Sequence, residues 1–94
     1  MKLLSIRWTE DSVDHIARHG VTPEEVEEVC FRRPLVQRAG RKREMVYYAR
    51  GQTEAGRYLT VVFRYLGSWE AFVITAREMD DAERRRFRER RQGR

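Results

Sequence analysis

The chain has 94 residues, of which 40% are hydrophobic and 37% charged, and it is expected to form a single domain over residues 1–94. That is enough apolar material for a small core and too much for a disordered chain, while no apolar run approaches the ~18 residues that span a bilayer. Twenty basic against fifteen acidic residues give a net charge of +5 and a pI of about 10.0, a balance that suits a polyanionic partner, either nucleic acid or an acidic protein segment.

The N-terminal stretch, residues 1–8, is too short and too soon charged for a signal peptide. The lone Cys30 excludes an internal disulfide and fits a reducing compartment, so a cytoplasmic protein is expected. Arginine supplies 18 of the 20 basic residues. Its planar fork grips phosphate and stacks on bases, although a GC-rich coding sequence would give the same ratio.

Leu4, Ile6 and Trp8 alternate with Ser5 and Arg7, the period of a strand. Thr9 offers an N-cap, and Val13, Ile16 and Ala17 follow at helical spacing until Gly20. Thr22-Pro23-Glu24-Glu25 opens a second helix with a cap, Pro at the first helical position and Glu at the capping-box position. Val26, Val29 and Cys30 share one face of that helix, and Pro34 stops it. Strands follow over roughly 35–38, 45–50, 57–66 and 71–77, with glycine-bearing turns at about 51–56 and 67–70. A last, arginine-rich helix begins near Asp80, with Glu83 at the capping-box spacing and Ala82 and Phe87 as its few apolar contacts. The order predicts an α+β domain: an antiparallel sheet (a strand, two helices, then a three- to four-strand meander) closed by a basic C-terminal helix.

The turns also set a register. A four-residue turn at 67–70 places Leu66 opposite Ala71, Tyr65 opposite Phe72, Phe63 opposite Ile74 and Val61 opposite Ala76. A six-residue loop at 51–56 places Arg50 opposite Arg57. The apolar face then carries Val46, Tyr48, Leu59, Val61, Phe63, Phe72 and Ile74, and the opposite face Tyr47, Tyr58, Thr60, Val62, Arg64, Thr75 and Arg77. A slip of one residue would exchange the faces.

Two groups of side chains suit chemistry. His15, Arg18 and His19 lie on one side of the first helix, and His15 and His19 are close enough to share a metal. The pair lacks the intervening Glu and a third ligand of a metal motif, so a solvated helix face explains it as well, and no metal or other cofactor is expected. His19 sits at the helix end, where the dipole favours an imidazolium. The second group is the polar sheet face. Cleavage of RNA by its own 2′-hydroxyl needs a base, a cation on the phosphate and an acid for the leaving oxygen. Arg64 and Arg77 suit the cationic role, and Tyr47 and Tyr58 suit base stacking or proton relay, although outward Arg and Thr are also ordinary on an exposed sheet. Residues 80–94 hold seven Arg and four acidic residues, a local charge of +3. That helix, with Arg84, Arg85 and Arg88, suits a phosphate backbone, a solvated face of Glu–Arg pairs, or a strip for an acidic protein. Phosphate-loop, Ser/His/Asp, cysteine-nucleophile and zinc-finger signatures are absent, and Cys30 reads as core.

Taken together, Trp8, Arg18-His19-Gly20-Val21, Thr22-Pro23-Glu24-Glu25-Val26, the stretch from Gly51 through Arg57-Tyr58-Leu59, Val73-Ile74-Thr75-Ala76-Arg77 and Glu83-Arg84 resemble, in order, the BrnT toxin family. That resemblance implies a fold like the RelE ribonucleases and a metal-independent endoribonuclease. It also implies a cognate antitoxin with a ribbon-helix-helix domain, through which alone the toxin reaches operator DNA. Carried over residue by residue, it points to His19, Arg57 and Arg77, with Arg64 beside them. The chain departs from the family after Trp8, where Thr9-Glu10-Asp11-Ser12 stands in place of an Asp and a nearby Lys. Three readings therefore stand at this point: an endoribonuclease toxin, a non-catalytic RNA- or antitoxin-binding module, and a structural partner in a DNA-binding repressor complex.

Overall fold

A computed structural model describes residues 1–92; Arg94, which the sequence reading counts in the basic helix, lies outside the described residues. The elements are β1 (Ser5–Arg7), α1 (Glu10–Ala17), α2 (Pro23–Cys30), β2 (Leu35–Ala39), a 3₁₀ turn (Lys42–Glu44), β3 (Val46–Gln52), β4 (Tyr58–Gly67), β5 (Glu70–Glu78) and α3 (Asp81–Gln92). Five strands form one sheet in the order β1-β5-β4-β3-β2. The meander β2–β5 is antiparallel, as the short turns require. β1 departs from the expected antiparallel sheet, because it docks parallel to β5, pairing Ser5 with Glu70 and Arg7 with Phe72. The two helices after β1 carry the chain across to the far edge of the sheet, where β2 begins, and β5 returns at the end of the meander to lie beside β1. The fold is α+β with a mixed sheet.

The local signals of the helices hold. The Thr9 hydroxyl accepts from the Ser12 amide and the Thr22 hydroxyl from the Glu25 amide, each closed reciprocally by the third residue. α1 ends three residues before its Gly, in a Schellman turn: the Val21 amide donates to the Ile16 carbonyl (3.1 Å) and the Gly20 amide to the Ala17 carbonyl (3.0 Å), with Gly20 at φ 71°. Ile16 and Val21, the pair such a turn brings together, are both buried.

α1 and α2 cover one face of the sheet. Ile16, Val26 and Val29 meet Ala49, Leu59, Val61, Phe63, Ala71 and Val73, all buried. α2 approaches β3 so closely that a Cβ on Gly51 would stand 3.1 Å from Val29 Cγ1. Glycine at this position sets the helix–sheet distance.

Two register expectations need correction. Along β4–β5 the expected pairing holds from Val61↔Ala76 through Leu59↔Glu78, but a bulge at Val62/Phe63 inserts one residue on β5. Beyond it Phe63 faces Val73 and Tyr65 faces Ala71, so Val73 and Ala71 take the core positions assigned to Ile74 and Phe72. On β3 the change is larger. The strand runs on to Gln52, the loop is short and built on the buried Thr53, and the pairing becomes Tyr47↔Phe63 and Arg50↔Thr60. Relative to the expected pairing this is a shift of three residues, an odd number that exchanges the two faces of β3. Tyr47 therefore lies in the core, stacked on Phe63 at 5.6 Å, while Val46 and Tyr48 stand on the outer face.

Phe63 is fully buried at the middle of this core. Phe63→Ala should lower stability by about 3–5 kcal/mol, read as a fall in Tm or in the denaturant midpoint; a variant that melts with the parent would mean the helices do not pack on this face.

Candidate ribonucleolytic site

The outer face is built around one carboxylate. Glu83, in the first turn of α3, is only 6% exposed. Arg77, at the end of β5, grips it bidentately, Nη1 donating to Oε1 at 2.7 Å and Nη2 to Oε2 at 3.0 Å. Arg50 of β3 donates to the same Oε2 at 2.9 Å, and Thr60 Oγ1 of β4 stands 3.4 Å away. These strand residues sit side by side in the register, Arg50↔Thr60↔Arg77, so three strands present them together. Glu83 also caps its own helix: its Oε1 accepts from the Asp80 amide and its amide donates to Asp80 Oδ1. The Arg77 guanidinium, followed by that backbone bond and Arg50, outweighs burial and holds the Glu83 carboxyl down at about 2. Arg77 is correspondingly held more firmly protonated by Glu83.

Arg77 keeps capacity for a ligand. Its side chain is 42% exposed, and of five N–H donors three are used, two on Glu83 and one on the Glu78 carbonyl. Two remain, on a guanidinium whose plane is already fixed. Arg50 is more committed: it lies over the Tyr48 ring at 4.8 Å and reaches Gln37 at 3.3 Å.

Along β5, two residues before Arg77, Thr75 Oγ1 lies 3.1 Å from His15 Nε2 of α1. β1 pairs only with residues 70–72 of β5, which leaves this stretch of β5 as an edge that α1 can reach. His19 packs edge-on against His15 at 5.6 Å and is itself exposed. Among the described residues no third His, Cys, Asp or Glu joins the pair as a metal-binding group.

Arg57 does something different from Arg77. Its Nη1 donates to both Glu25 oxygens at 2.8 Å and to the Gly20 carbonyl at 2.9 Å; its Nε and Nη2 donate to Glu78 Oε2. It thereby ties the Schellman turn after α1, the capping box of α2 and the end of β5 at one point. One donor is left over. Arg64 is exposed, opposite Val46 and Phe72, and makes no ion pair among the described residues. It shares the outer face with Arg77 but stands four residues up β4 from Thr60, the residue paired with Arg77.

The basic helix differs from expectation at its contact face: Ala82 is exposed, and Glu83 and Phe87 are the buried residues. Tyr58 meets Phe87 edge-on at 5.9 Å and carries Arg84 over its ring at 4.6 Å, so one face of that ring is already stacked. Arg85 and Arg88 are exposed, with Asp81 and Glu89 nearby. Sequence reasoning passed over Arg50 and the Glu83 carboxylate, and it weighed His15 only as a metal ligand or solvated residue. Glu83 was visible as a capping-box residue; that its side chain would also be buried between two arginines had no local signal.

If Glu83 is held near 2 when folded and titrates near 4.5 when unfolded, its ionised form stabilises the fold above pH 4.5. That contribution disappears as the pH falls from 4.5 through 2. It amounts to at most about 3 kcal/mol, reduced because Arg77 is partly solvated. Denaturation followed from pH 6 to 2 should show this loss in the parent and a much flatter curve in Glu83→Gln; equal slopes would place the acid-sensitive group elsewhere.

A family model described as "Ribonuclease toxin, BrnT, of type II toxin-antitoxin system" matches residues 8–83, a span that takes in Trp8, both histidines, Arg57, Arg77 and Glu83. No curated protein matches the chain.

Proposed function

The chain belongs to the BrnT family of ribonuclease toxins of type II toxin–antitoxin systems, and we propose that it cleaves single-stranded or ribosome-bound RNA in the cytoplasm without a metal ion. Membership implies an RNA target and an antitoxin partner; the proposal adds that the antitoxin carries a ribbon-helix-helix domain and that operator DNA is reached only through it. The same reading takes the fold as RelE-like, with the outer sheet face as the RNA surface.

In this mechanism a base removes the 2′-hydroxyl proton, the freed oxygen attacks the adjacent phosphorus, and the 5′-oxygen leaves with a proton. The products are a 2′,3′-cyclic phosphate and a 5′-hydroxyl. Negative charge grows on the phosphate oxygens, and Arg77 offers two spare N–H groups to it. This is the observation that carries the proposal: a partly exposed cation whose orientation is fixed beforehand by a buried carboxylate, so that little reorganisation accompanies reaction. His15, anchored on Thr75 beside Arg77, is better placed as proton acceptor than His19, which extends the same edge. Arg64 serves the strand farther along the face. Tyr47, being in the core, supports Phe63 rather than touching RNA, and Arg57 acts by positioning the His19–Gly20 turn. No helix is long and apolar enough to cross a membrane.

One observation favours the non-catalytic alternative, a module that only binds RNA or antitoxin: carboxylates already take up most of the donors of Arg57 and hold Arg77 bidentately. Two variants decide. Arg77→Ala should reduce cleavage by about 10²–10³, and it should also lower Tm, because it strips a partner from buried Glu83. Glu83→Gln loosens the same contact but keeps the cation, so cleavage should fall less than about tenfold. Both are measured on purified protein with labelled RNA, with and without EDTA. Equal losses in the two variants would make Arg77 structural only, and cleavage abolished by EDTA would overturn the metal-free mechanism.

A further inference from the structure

α3 presents two basic sides. Arg84, Arg85 and Arg88 belong to the outward side, along with Asp81 and Glu89. The other side, turned to the sheet edge, closes a cleft of about 210 Å³ with Leu35, Gln37 and Arg50 below and Arg86, Phe87 and Arg90 above. Arg86 and Arg90 are one turn apart on the helix, so their guanidiniums share this wall. Among the described residues neither makes a hydrogen bond or ion pair. The one carboxylate lining the cleft is Glu83, and it is already bound by Arg77 and Arg50.

The cleft therefore carries an excess of positive charge in its lining. Three arginines line it against one carboxylate, and that carboxylate also faces Arg77 outside. Arg50 Nε is buried without a hydrogen-bond partner, so the donors Arg50 turns to its surroundings are those of its two terminal nitrogens. The volume lies below the ~300–1,000 Å³ of a closed small-molecule site, which fits part of a strand entering from outside rather than a whole free ligand. The lining is mixed: Leu35 and Phe87 are apolar, and Gln37 brings an amide whose oxygen accepts from Arg50 at 3.3 Å, leaving its NH₂ as a donor.

We propose that this cleft is a phosphate subsite for single-stranded RNA, with Arg86 and Arg90 gripping a phosphodiester next to the one at Arg77 and the Gln37 amide facing the attached base. Arg50 and Arg77 share Glu83 Oε2, so the cleft and the proposed cleavage point adjoin across a single carboxylate. A strand crossing there meets Arg77 on one side of Glu83 and Arg86 and Arg90 on the other. The identity of the polyanion rests on the ribonuclease reading; the location of the subsite rests on the cleft.

The test uses the full chain and a short 2′-O-methyl RNA of mixed sequence, which has no attacking 2′-hydroxyl and so reports binding without cleavage. Affinity is followed by fluorescence anisotropy across a salt series. Arg86→Gln with Arg90→Gln should weaken binding about tenfold or more and flatten the logarithmic salt slope by about 0.7 for each phosphate that is no longer neutralised. Lys42→Gln with Arg43→Gln, an equal loss of charge on the 3₁₀ turn, which does not line the cleft, should bind within about threefold of the parent. Circular dichroism melts should show both pairs folded, since all four side chains are exposed. If the Arg86/Arg90 pair binds like the Lys42/Arg43 pair, the subsite is overturned, and it is equally overturned if only antitoxin binding falls. A parent that binds this RNA through Arg86 and Arg90 yet cleaves no unmodified RNA of the same sequence would sink the ribonuclease reading and leave the subsite standing.

Discussion

Helix α3 cannot hold itself on the sheet by apolar contact. It buries two residues, Phe87 and Glu83, and one aromatic ring is a small anchor for twelve residues of mostly arginine and acid. The second anchor is ionic. Taking the Glu83 carboxylate out of water costs several kcal/mol, and this is offset only because the bidentate Arg77, Arg50, Thr60 and the Asp80 amide satisfy its oxygens together. A hydrophobic residue at 83 would be a simpler anchor, but it would leave Arg77 and Arg50 without a fixed orientation. The whole outer face follows from this choice, including the plane of Arg77 and the cleft beneath the helix.

Arg57 on the helix-covered side plays the complementary part, and the two networks meet where Arg77 and Glu78 adjoin at the end of β5. Strand alternation sends these neighbours to opposite faces, so one strand end braces α3 on one side and the α1–α2 junction on the other. The two braces are unequal. Glu78 is 63% exposed and its pair with Arg57 contributes little by itself; Glu25, half-buried and shared with the Thr22 cap, carries more of that junction. The other end of the sheet has a different character, with Leu4 and Trp69 more than half exposed beside each other.

The sequence made the helices legible because their signals are local: Thr9, Thr22 and Asp80 each act within one turn, and Gly20 ends α1 through its own φ. The β4–β5 hairpin was legible for the same reason, its turn being marked by Gly67. Its bulge was not, because one inserted residue leaves the alternation on either side intact. β3 was misplaced because the decisive residue, Thr53, is a polar side chain buried in its own loop, which no period reveals; the three-residue error that followed moved Tyr47 into the core. The parallel seat of β1 depends on contacts more than sixty residues away, such as Arg7 with Glu70. Arg64 and Arg77 were found on the correct face because β4–β5 keeps the expected pairing at Thr60↔Arg77 and the bulge leaves Arg64 facing outward. Their different environments were invisible, since Glu83 arrives from another element.

The structure separates the arginines into two physical classes that composition lumps together. Arg50, Arg57 and Arg77 are partly buried and paired at 3 Å or less, and such pairs are screened little by salt. They set orientation. Arg85, Arg86, Arg88 and Arg90 are exposed and unpaired among the described residues, and their field decays within about a Debye length, roughly 8 Å at physiological ionic strength. They attract. Under the proposed function, the toxin gathers its polyanion with one set and acts on it with the other. On that reading salt weakens the encounter with RNA far more than it disturbs the geometry at Arg77. The same division bears on how a chain with a net charge of only +5 can serve a polyanion: Glu25 and Glu83 fix cations in place, and four exposed arginines without an ion pair among the described residues stand on one helix.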